Sequence, residues 1–321
     1  VLDGMAGLGL DMDRLRREAG LTVPPGDPEE LVSIQTLETV WERAHAQAPR
    51  AELAMEVGFR IPLGAFGAMD YLAASSDTVG QAFRNLAAHF SRMVPGRGLE
   101  IHQGPEAYRI VILCSETGAL SELGDELTVA ILVKHFRTHT SALPLRRVAL
   151  RRQRPERVEA FVKLLGAEVT FGHRSTELEF EPHAPQTALT SKNPLLHRTL
   201  QSMSTRLGLG GAALPPLELV LRARLREGLR DGIAEAPQMA KHLGMSERSL
   251  HRKLAEGGRS YQEIADDVRR SEAERLLLAP DLGMAQIAQA LGFADQSAFS
   301  RAFKRWTNLT PREWRAQRVK L

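Results

Sequence analysis

Two eight-residue segments in the last quarter of the chain carry the same arrangement of small, apolar and polar residues. The first, MAKHLGMS, runs from Met239 to Ser246, and it recurs in outline as IAQALGFA from Ile287 to Ala294. In both copies an alanine permits close helix packing, a glycine can adopt the positive φ of a sharp turn, and the next apolar residue can plug the junction. The chemistry indicated is that of a helix-turn-helix, whose second helix can enter a major groove of DNA.

The residues after each segment fit a second helix with one apolar and one polar face. Leu250 and Leu254 recur at helical spacing after the first copy, and Phe299 and Phe303 do so after the second. Arg, Ser, His and Gln residues occupy the opposite faces. One such pair alone could equally be an ordinary αα-hairpin in a helical bundle. Two copies with polar outer faces favour nucleic-acid binding.

Basic residues are concentrated in the part of the chain that holds this repeat. The net charge of the whole protein is only +3, yet from Pro216 onward Lys and Arg number 19 and Asp and Glu number 14. From Asp295 onward the corresponding numbers are 7 and 2. A surface that binds a polyanion requires such a local excess of positive charge. A solvated basic tail is the alternative that charge alone leaves open.

The elements that must position the repeat are helices. Apolar periodicity and helix start signals predict seven of them, at 217–229, 237–243, 247–255, 261–278, 284–291, 296–305 and 311–317. Ser246 and Asp295 are the predicted N-caps of the two second helices, and capping boxes are predicted to begin at Ser260 and Thr310. The segment 261–278 lacks Gly and Pro, so we expect one continuous helix that packs against both helix-turn-helix subdomains.

The part of the chain before the repeat mixes helices and strands. Helices are predicted at 5–19, 33–47, 78–93, 121–139 and 156–165, the third capped by Asp77 and the last stopped by Gly166. Strands are predicted at 99–103, 108–113, 147–150, 168–171 and 177–180, with a turn at Gly104 and Pro105 between the first two. This mixture predicts an α+β domain with a small, largely antiparallel sheet.

A segment rich in glycine and proline separates the two parts. It reads LGLGGAALPP from Leu207 to Pro216, and a regular element is not expected to continue through it. We therefore predict an α+β regulatory domain at 1–206, a linker at 207–215 and an all-α domain at 216–321. The all-α domain is expected to hold two helix-turn-helix subdomains joined by the long helix.

The segment GFADQSAFSRAFKRWTNLTPREWR, from Gly292 to Arg315, closely resembles the C-terminal signature of AraC/XylS-type transcriptional regulators. The resemblance extends back through LGMSERSLHRKL, from Leu243 to Leu254, and covers about a hundred residues. One departure is Asn308, where the family usually has glycine. Asparagine tolerates the left-handed conformation better than most residues, so we expect the turn to survive.

The resemblance implies that two recognition helices lie in successive major grooves on one face of double-stranded promoter DNA. Arg252 and Arg301 are the best candidates for bidentate contacts with guanine, and Gln296 for contact with adenine. Lys304, with Arg305, is more suited to phosphates or solvent. The full set of implied DNA-binding residues is Arg248, His251 and Arg252 in the first groove, and Gln296, Ser297, Ser300, Arg301 and Lys304 in the second.

Residues 1 to about 206 more loosely resemble the arabinose-binding-like regulatory domain of a subgroup of these proteins. The resemblance is carried by GLDMDRLRREAGL at 9–21, GAFGAMDY at 64–71, SSDTVGQA at 75–82 and LLGAEVTFG at 164–172. The segment from Arg147 to Pro155 lacks a histidine expected near its end. The resemblance implies control by a small-molecule effector of unidentified chemistry, RNA polymerase as a partner and a possible homodimer. An effector-independent regulator whose N-terminal domain only dimerises is the alternative.

Other patterns that could do chemistry are weaker. Cys114 ends an apolar run as a nucleophile at a strand end would, but no βαβ pattern precedes it, and a lone cysteine is more often a buried apolar residue. DNA repair by alkyl transfer would need a cysteine cluster. His135 and His139 have metal-ligand spacing without an evident third ligand, so two surface histidines are expected. Hence neither an enzyme nor a cofactor is predicted.

The sequence also bears on the compartment. The single cysteine excludes an internal disulfide and fits a reducing cytoplasm. The first residues lack the basic head and apolar run of a secretion signal, and no stretch approaches ~20 apolar residues. We expect a cytoplasmic protein without a membrane span. The stripe of Phe83, Leu86, Ala87 and Phe90 has the spacing of any amphipathic helix and is expected to be core.

Overall fold

The computed structural model describes residues 1–21, 34–94, 96–114, 119–206, 217–229, 234–279 and 282–318. These residues divide into a first unit that lies almost wholly before Arg206 and a second unit that holds everything from Leu217 onward. The predicted linker at 207–215 lies outside the described residues.

The first unit combines helices with one mixed sheet. Its helices are α1 (Leu2–Ala6), α2 (Met12–Glu18), α3 (Ile34–Gln47), α4 (Leu53–Gly58), α5 (Ala68–Ala74), α6 (Val79–Met93), α7 (Ala119–Thr138), α8 (Glu159–Leu165) and α9 (Pro194–Arg206). Its strands are β1 (Arg97–Gln103), β2 (Tyr108–Cys114), β3 (Leu145–Ala149), β4 (Glu168–Thr170) and β5 (Thr176–Phe180). The predicted α+β class is confirmed.

The sheet has the strand order β1-β2-β5-β3-β4. Strand β5 pairs antiparallel with β2 and with β3, whereas β3 and β4 are parallel because α8 connects them. The amide of Gly104 donates to the carbonyl of Ala107 at 3.0 Å, which closes the predicted turn between β1 and β2. Along β5, Thr176, Leu178 and Phe180 are buried while the glutamates between them are half-buried, as expected for a strand with one core face.

The core of this unit includes the predicted stripe of α6. Phe83, Leu86 and Phe90 are buried, and Ala87 is half-buried. The ring of Phe83 stacks on Phe136 of α7, with ring centroids 4.2 Å apart. The stripe therefore packs a helix against the rest of the unit, as its spacing predicts.

Two local predictions in this unit were wrong. Helical periodicity predicts one helix at 5–19, but the chain forms α1 and α2, separated by a bend in which Gly9 has a φ of 75°. Asp11 then caps α2 by accepting from the amide of Arg14 at 2.9 Å. The cap of α6 is not Asp77: the hydroxyl of Thr78 accepts from the amide of Gln81 at 3.3 Å, one residue nearer the helix. Helices α4, α5 and α9 were not predicted.

The second unit contains all seven predicted helices. They are α10 (Leu217–Gly228), α11 (Ala236–His242), α12 (Glu247–Glu256), α13 (Tyr261–Leu277), α14 (Met284–Ala290), α15 (Gln296–Thr307) and α16 (Pro311–Arg318). One core of buried residues includes Leu225 of α10, Leu250 of α12, Val268 of α13, Ile287 of α14 and Phe299 of α15. The helices therefore share a single apolar interior.

None of the helices in the described ranges combines the length and the apolar content that crossing a bilayer demands.

Candidate nucleic-acid interface

Both repeated segments end their first helix in the same way. Gly244 has a φ of 66° and Gly292 a φ of 75°, which are left-handed conformations that an L side chain rarely adopts. The amide of Met245 donates to the carbonyl of Ala240 at 3.0 Å, and that of Phe293 donates to Ala288 at 3.0 Å. These bonds reach back across the glycine and tie the turn to the last turn of the first helix.

The second helix of each pair begins at the predicted cap. The hydroxyl of Ser246 accepts from the amide of Ser249 at 3.2 Å at the start of α12. A carboxylate oxygen of Asp295 accepts from the amide of Ala298 at 2.7 Å at the start of α15. Both caps have extended backbone, so the chain changes direction at once from turn to helix.

The inner faces of α12 and α15 are anchored by apolar side chains. Leu250 and Leu254 are buried in the first pair, and Phe299 and Phe303 are buried in the second. Phe303 meets the ring of Trp314 from α16 edge to face, with centroids 6.1 Å apart. This anchoring determines which side of each helix remains outside.

The predicted residues of α12 all lie on its exposed side. Arg248, His251 and Arg252 are exposed. Arg252 donates from Nη1 to Oε1 of Glu256 at 2.6 Å, one turn further along the helix. The imidazole of His251 lies 3.6 Å from a carboxylate oxygen of Glu247. In the part of the chain that is described, Arg248 takes part in no ion pair.

The predicted DNA-binding residues of α15 are also exposed to solvent, except for Ser300. Gln296, Ser297, Arg301 and Lys304 are exposed, whereas Ser300 is half-buried. Among the described residues, neither Arg301 nor Lys304 takes part in an ion pair. Both charges are thus available to a partner outside the chain.

Helix α13 joins the two helix pairs. The capping box predicted at Ser260 is present: its hydroxyl accepts from the amide of Glu263 at 3.2 Å, while the Glu263 carboxylate accepts from the amide of Ser260 at 2.7 Å. The helix runs without a break and contacts α10 on one side and α14 and α15 on the other. Ile264, Val268 and Leu276 are buried. The predicted continuous connecting helix is confirmed.

A family model described as "Arabinose-binding domain of AraC transcription regulator, N-term" matches residues 9–189, which is more than half of the chain. The chain belongs to this family. A second model, described as a helix-turn-helix domain, matches residues 239–317, a range that begins within α11 and includes α12, α14 and α15.

Three individual proteins show different degrees of similarity to this chain. The HTH-type transcriptional regulator VirS of Mycobacterium tuberculosis is 31% identical over 158 residues, which are 49% of this chain and 46% of that protein. The ornithine utilization regulator of Pseudomonas aeruginosa is 26% identical over 281 residues, covering 85% of this chain and 80% of that protein. The crystal structure of the transcriptional regulator CdpR from Pseudomonas aeruginosa aligns with 95% of this chain and 97% of that one, at 21% identity and a TM-score of 0.45. The match with VirS thus spans less than half of that relative.

The departure from the AraC signature at Asn308 is accommodated as expected. Asn308 has a φ of 60°, and its amide donates to the carbonyl of Lys304 at 2.9 Å, which ends α15. The capping box predicted at Thr310 follows, with the Glu313 carboxylate accepting from the amide of Thr310 at 2.8 Å. These hydrogen bonds lower the pKa of Glu313.

Several arginines of the AraC-type unit have roles that the sequence did not reveal. Arg315 of α16 donates to the carbonyls of Leu277 and Leu282, at 2.9 and 2.8 Å, and so caps the end of α13. Arg305 donates to Asp266 of α13 at 2.9 Å and thus has a protein partner in addition to solvent. In the sequence, only the position of Arg315 shortly after the predicted capping box at Thr310 could have pointed to its contact with the end of α13.

The first unit of this AraC-type chain contains a buried ionic cluster that sequence analysis missed. Arg151 donates to Asp125 at 2.7 Å, and Arg152 donates to Glu126 at 2.9 Å. Burial, only partly opposed by Arg152, raises the pKa of Glu126 to about 8. Arg152 also donates to the carbonyl of Ala51 at 2.8 Å. The cluster therefore links α7 to the end of β3 and to the turn before α4.

The weaker chemical candidates, Cys114, His135 and His139, have ordinary surroundings. Cys114 is buried, as expected of an apolar residue. His135 and His139 are half-buried rather than fully exposed, and burial lowers the pKa of both. Among the described residues, no three or more His, Cys, Asp or Glu side chains are grouped so that they could hold a metal ion.

Proposed function

We propose that the chain is a sequence-specific transcriptional regulator that reads promoter DNA with α12 and α15. The observation that carries this proposal is the repeated glycine turn, which in both helix pairs buries one face of the second helix and leaves a polar face outside. Because one continuous helix holds both pairs, two recognition helices can engage successive major grooves.

Arg252 and Arg301 are proposed to contact guanine, and Gln296 adenine. Arg301 has no competing ion pair in the described part of the chain, whereas Arg252 must leave Glu256. An exposed pair of this kind contributes only about 0.3–0.5 kcal/mol, while a bidentate contact with the correct base is worth about 1–3 kcal/mol. The exchange therefore favours DNA.

The remaining proposed contacts differ in reach. Arg248, His251 and Ser297 lie on the exposed faces and can approach base edges in the grooves. Ser300 is half-buried, so it can contact DNA only with its hydroxyl at close approach. Lys304 lies one turn beyond Ser300 and about two turns beyond Gln296, toward the end of α15. We assign it to phosphate, where a flexible ammonium needs no fixed geometry.

The first unit is proposed to bind a small-molecule effector and to support dimerisation, with RNA polymerase as a further partner of the full chain. Support comes from the family description, which names an arabinose-binding domain, and from the ornithine utilization regulator among its relatives. These names do not identify the effector. A ligand that binds the folded state raises its thermal stability by mass action. A panel of sugars and amino acids that leaves the melting temperature unchanged would favour a domain that only dimerises.

Footprinting tests the DNA-binding proposal. The full chain is used to select tight-binding fragments from random DNA, and hydroxyl-radical cleavage then maps the protected positions. We expect two protected patches about one helical turn apart on the same face, in line with docking of two helices in successive grooves. Selection that enriches no sequence over the input, at any ionic strength, would contradict the proposal.

A further inference from the structure

Two neighbouring carboxylates in α13, Asp266 and Asp267, contact different elements of the second unit. Successive side chains on a helix diverge by about 100°, so adjacent residues can reach elements on different sides. Asp267 accepts from Arg222 of α10 at 2.8 Å and from Arg259, after α12, at 2.6 Å. Asp266 accepts from Arg305 of α15 at 2.9 Å. Two adjacent residues of α13 thus contact α10 and the segment after α12 on the one hand, and α15 on the other.

The contacts of Asp267 form an alternating network. Arg222 also donates to Glu218 at 3.0 Å, and a nitrogen of Arg259 lies 3.7 Å from the same carboxylate. Partial burial opposes ionisation of Asp267, but hydrogen bonds from Arg222 and Arg259 outweigh it and lower the pKa of this carboxyl. The Arg222 side chain is only 9% exposed, so its charge depends on these two acids.

The contacts of Asp266 are weaker and belong to the second helix pair. The Arg305 side chain is 65% exposed, and such an ion pair contributes about 0–1 kcal/mol. Arg269, 3.9 Å from Asp266, also lies 6.0 Å from the ring of Phe293 at the turn before α15. These contacts are too weak to stabilise the fold, which rests on the apolar core. They are large enough to favour one orientation of α15 over a neighbouring one.

We propose that Asp266 and Asp267 are positioning residues that hold α12 and α15 in a fixed relative orientation, and so determine which spacing between DNA half-sites the chain accepts. This inference rests on the proposed function. Recognition helices must enter grooves that repeat about every 34 Å, and a change in orientation moves the second helix out of register with its half-site. Loss of an aspartate should therefore broaden the accepted spacing.

Another carboxylate of α13 provides the matched control. Glu274 accepts from Arg270 at 3.0 Å, one turn away on the same helix. Glu274→Gln removes the same charge as Asp266→Asn and a similar ion pair. Within the described part of the chain, however, Glu274 makes no hydrogen bond or ion pair with another helix. An effect of Asp266→Asn that Glu274→Gln reproduces would reflect charge alone and would overturn the proposal.

The first experiment measures orientation without DNA. Nitroxide labels are attached to the full chain at Lys253→Cys on α12 and Gln317→Cys on α16, with Cys114→Ala, and their separation is measured by pulsed electron spin resonance. We expect a narrow distribution for the parent and for Glu274→Gln, and a broader or shifted one for Asp266→Asn and Arg305→Gln. The distance distribution of the double variant, Asp266→Asn with Arg305→Gln, should be no broader than that of either single variant, because both substitutions remove the same contact. Unchanged distributions would overturn the proposal.

Asp267 needs a variant that does not strand a buried charge. Asp267→Asn leaves Arg222 with one acid and can unfold the unit, whereas Arg259→Gln removes one arm of the network and keeps the bond between Arg222 and Asp267. We expect Arg259→Gln to broaden the label distribution while the circular dichroism spectrum stays unchanged. A distribution as narrow as that of the parent would remove Asp267 from the proposal.

The second experiment measures spacing on DNA. Paired half-sites are presented at the selected spacing and with one base pair added or removed. We expect Asp266→Asn to lower the preference for the selected spacing about threefold to fivefold, which is the ratio that the free energy of an exposed ion pair corresponds to. Its affinity for a single half-site should change no more than that of Glu274→Gln. A spacing preference equal to that of the parent would overturn the inference. If the parent binds no DNA, the proposed function fails, and the label distances still judge the positioning role.

Discussion

Arg252 and Glu256 form an ion pair of 2.6 Å along the exposed face that we propose to enter the first groove. The pair places a negative charge beside the arginine that we assign to guanine. Because the same arginine cannot serve both partners fully, the glutamate competes with DNA.

Glu256→Gln is therefore expected to strengthen DNA binding. Removing the carboxylate frees Arg252 and reduces repulsion of phosphate, and we expect a gain of about twofold to fivefold in affinity. The measurement is fluorescence anisotropy on the selected DNA at several salt concentrations. Glu274→Gln removes an equal charge away from α12 and is the control. Equal gains in the two variants would mean that Arg252 does not face DNA.

Arg301→Ala and Lys304→Ala are expected to differ in kind. Arg301→Ala should weaken binding to the selected sequence by about 1–3 kcal/mol and relax the preference at one base pair. Lys304→Ala should weaken binding to selected and random DNA more evenly. Competition assays with both DNAs measure the two effects. If each variant loses the same affinity on both DNAs, α15 faces DNA with a different side from the one proposed.

Asn308 is expected to tolerate glycine but not a β-branched residue. Asn308 has a φ of 60°, a conformation that glycine adopts readily. Asn308→Gly should therefore leave the stability of the second unit nearly unchanged. Asn308→Val should lower the free energy of unfolding by about 1–2 kcal/mol. Urea unfolding measures both, and Gln317→Val at an exposed helical position is the control. A loss no greater than the control's would indicate that the turn relaxes at little cost.

Glu126 is expected to make the first unit less stable as pH rises. Burial raises its pKa from the ordinary 4.5 to about 8, so the folded state holds a proton that the unfolded state releases. The stabilisation is fully present below about pH 4.5 and is lost as pH rises to about 8, at no more than about 1.4 kcal/mol per pH unit.

The comparison of Glu126→Gln with the parent isolates this effect. Relative to the parent, the variant should become steadily more stable between pH 5 and pH 8, since an amide has no proton to lose. Thermal unfolding across this range measures the difference, with Glu181→Gln at a more exposed site as the control. A difference that does not change with pH would show that Arg152 keeps Glu126 ionised throughout.

The sequence alone determined the second unit to within a few residues. Its helices, the glycine turns and the caps at Ser246 and Asp295 depend on residues within one or two turns of each other, so local chemistry is sufficient. The exposed positions of Arg248 and Arg301 follow from the same periodicity, because burying one face of a helix leaves the other outside.

Only the tertiary structure decided which charges pair with each other. Asp266 meets Arg305 at a separation of 39 residues, and Arg152 meets Glu126 at a separation of 26. Periodicity shows that such side chains are polar, but it does not show which helix will lie opposite them. The same reason applies to the strand order of the sheet and to the burial that raises the pKa of Glu126. Each is set by elements that become neighbours only when the chain folds.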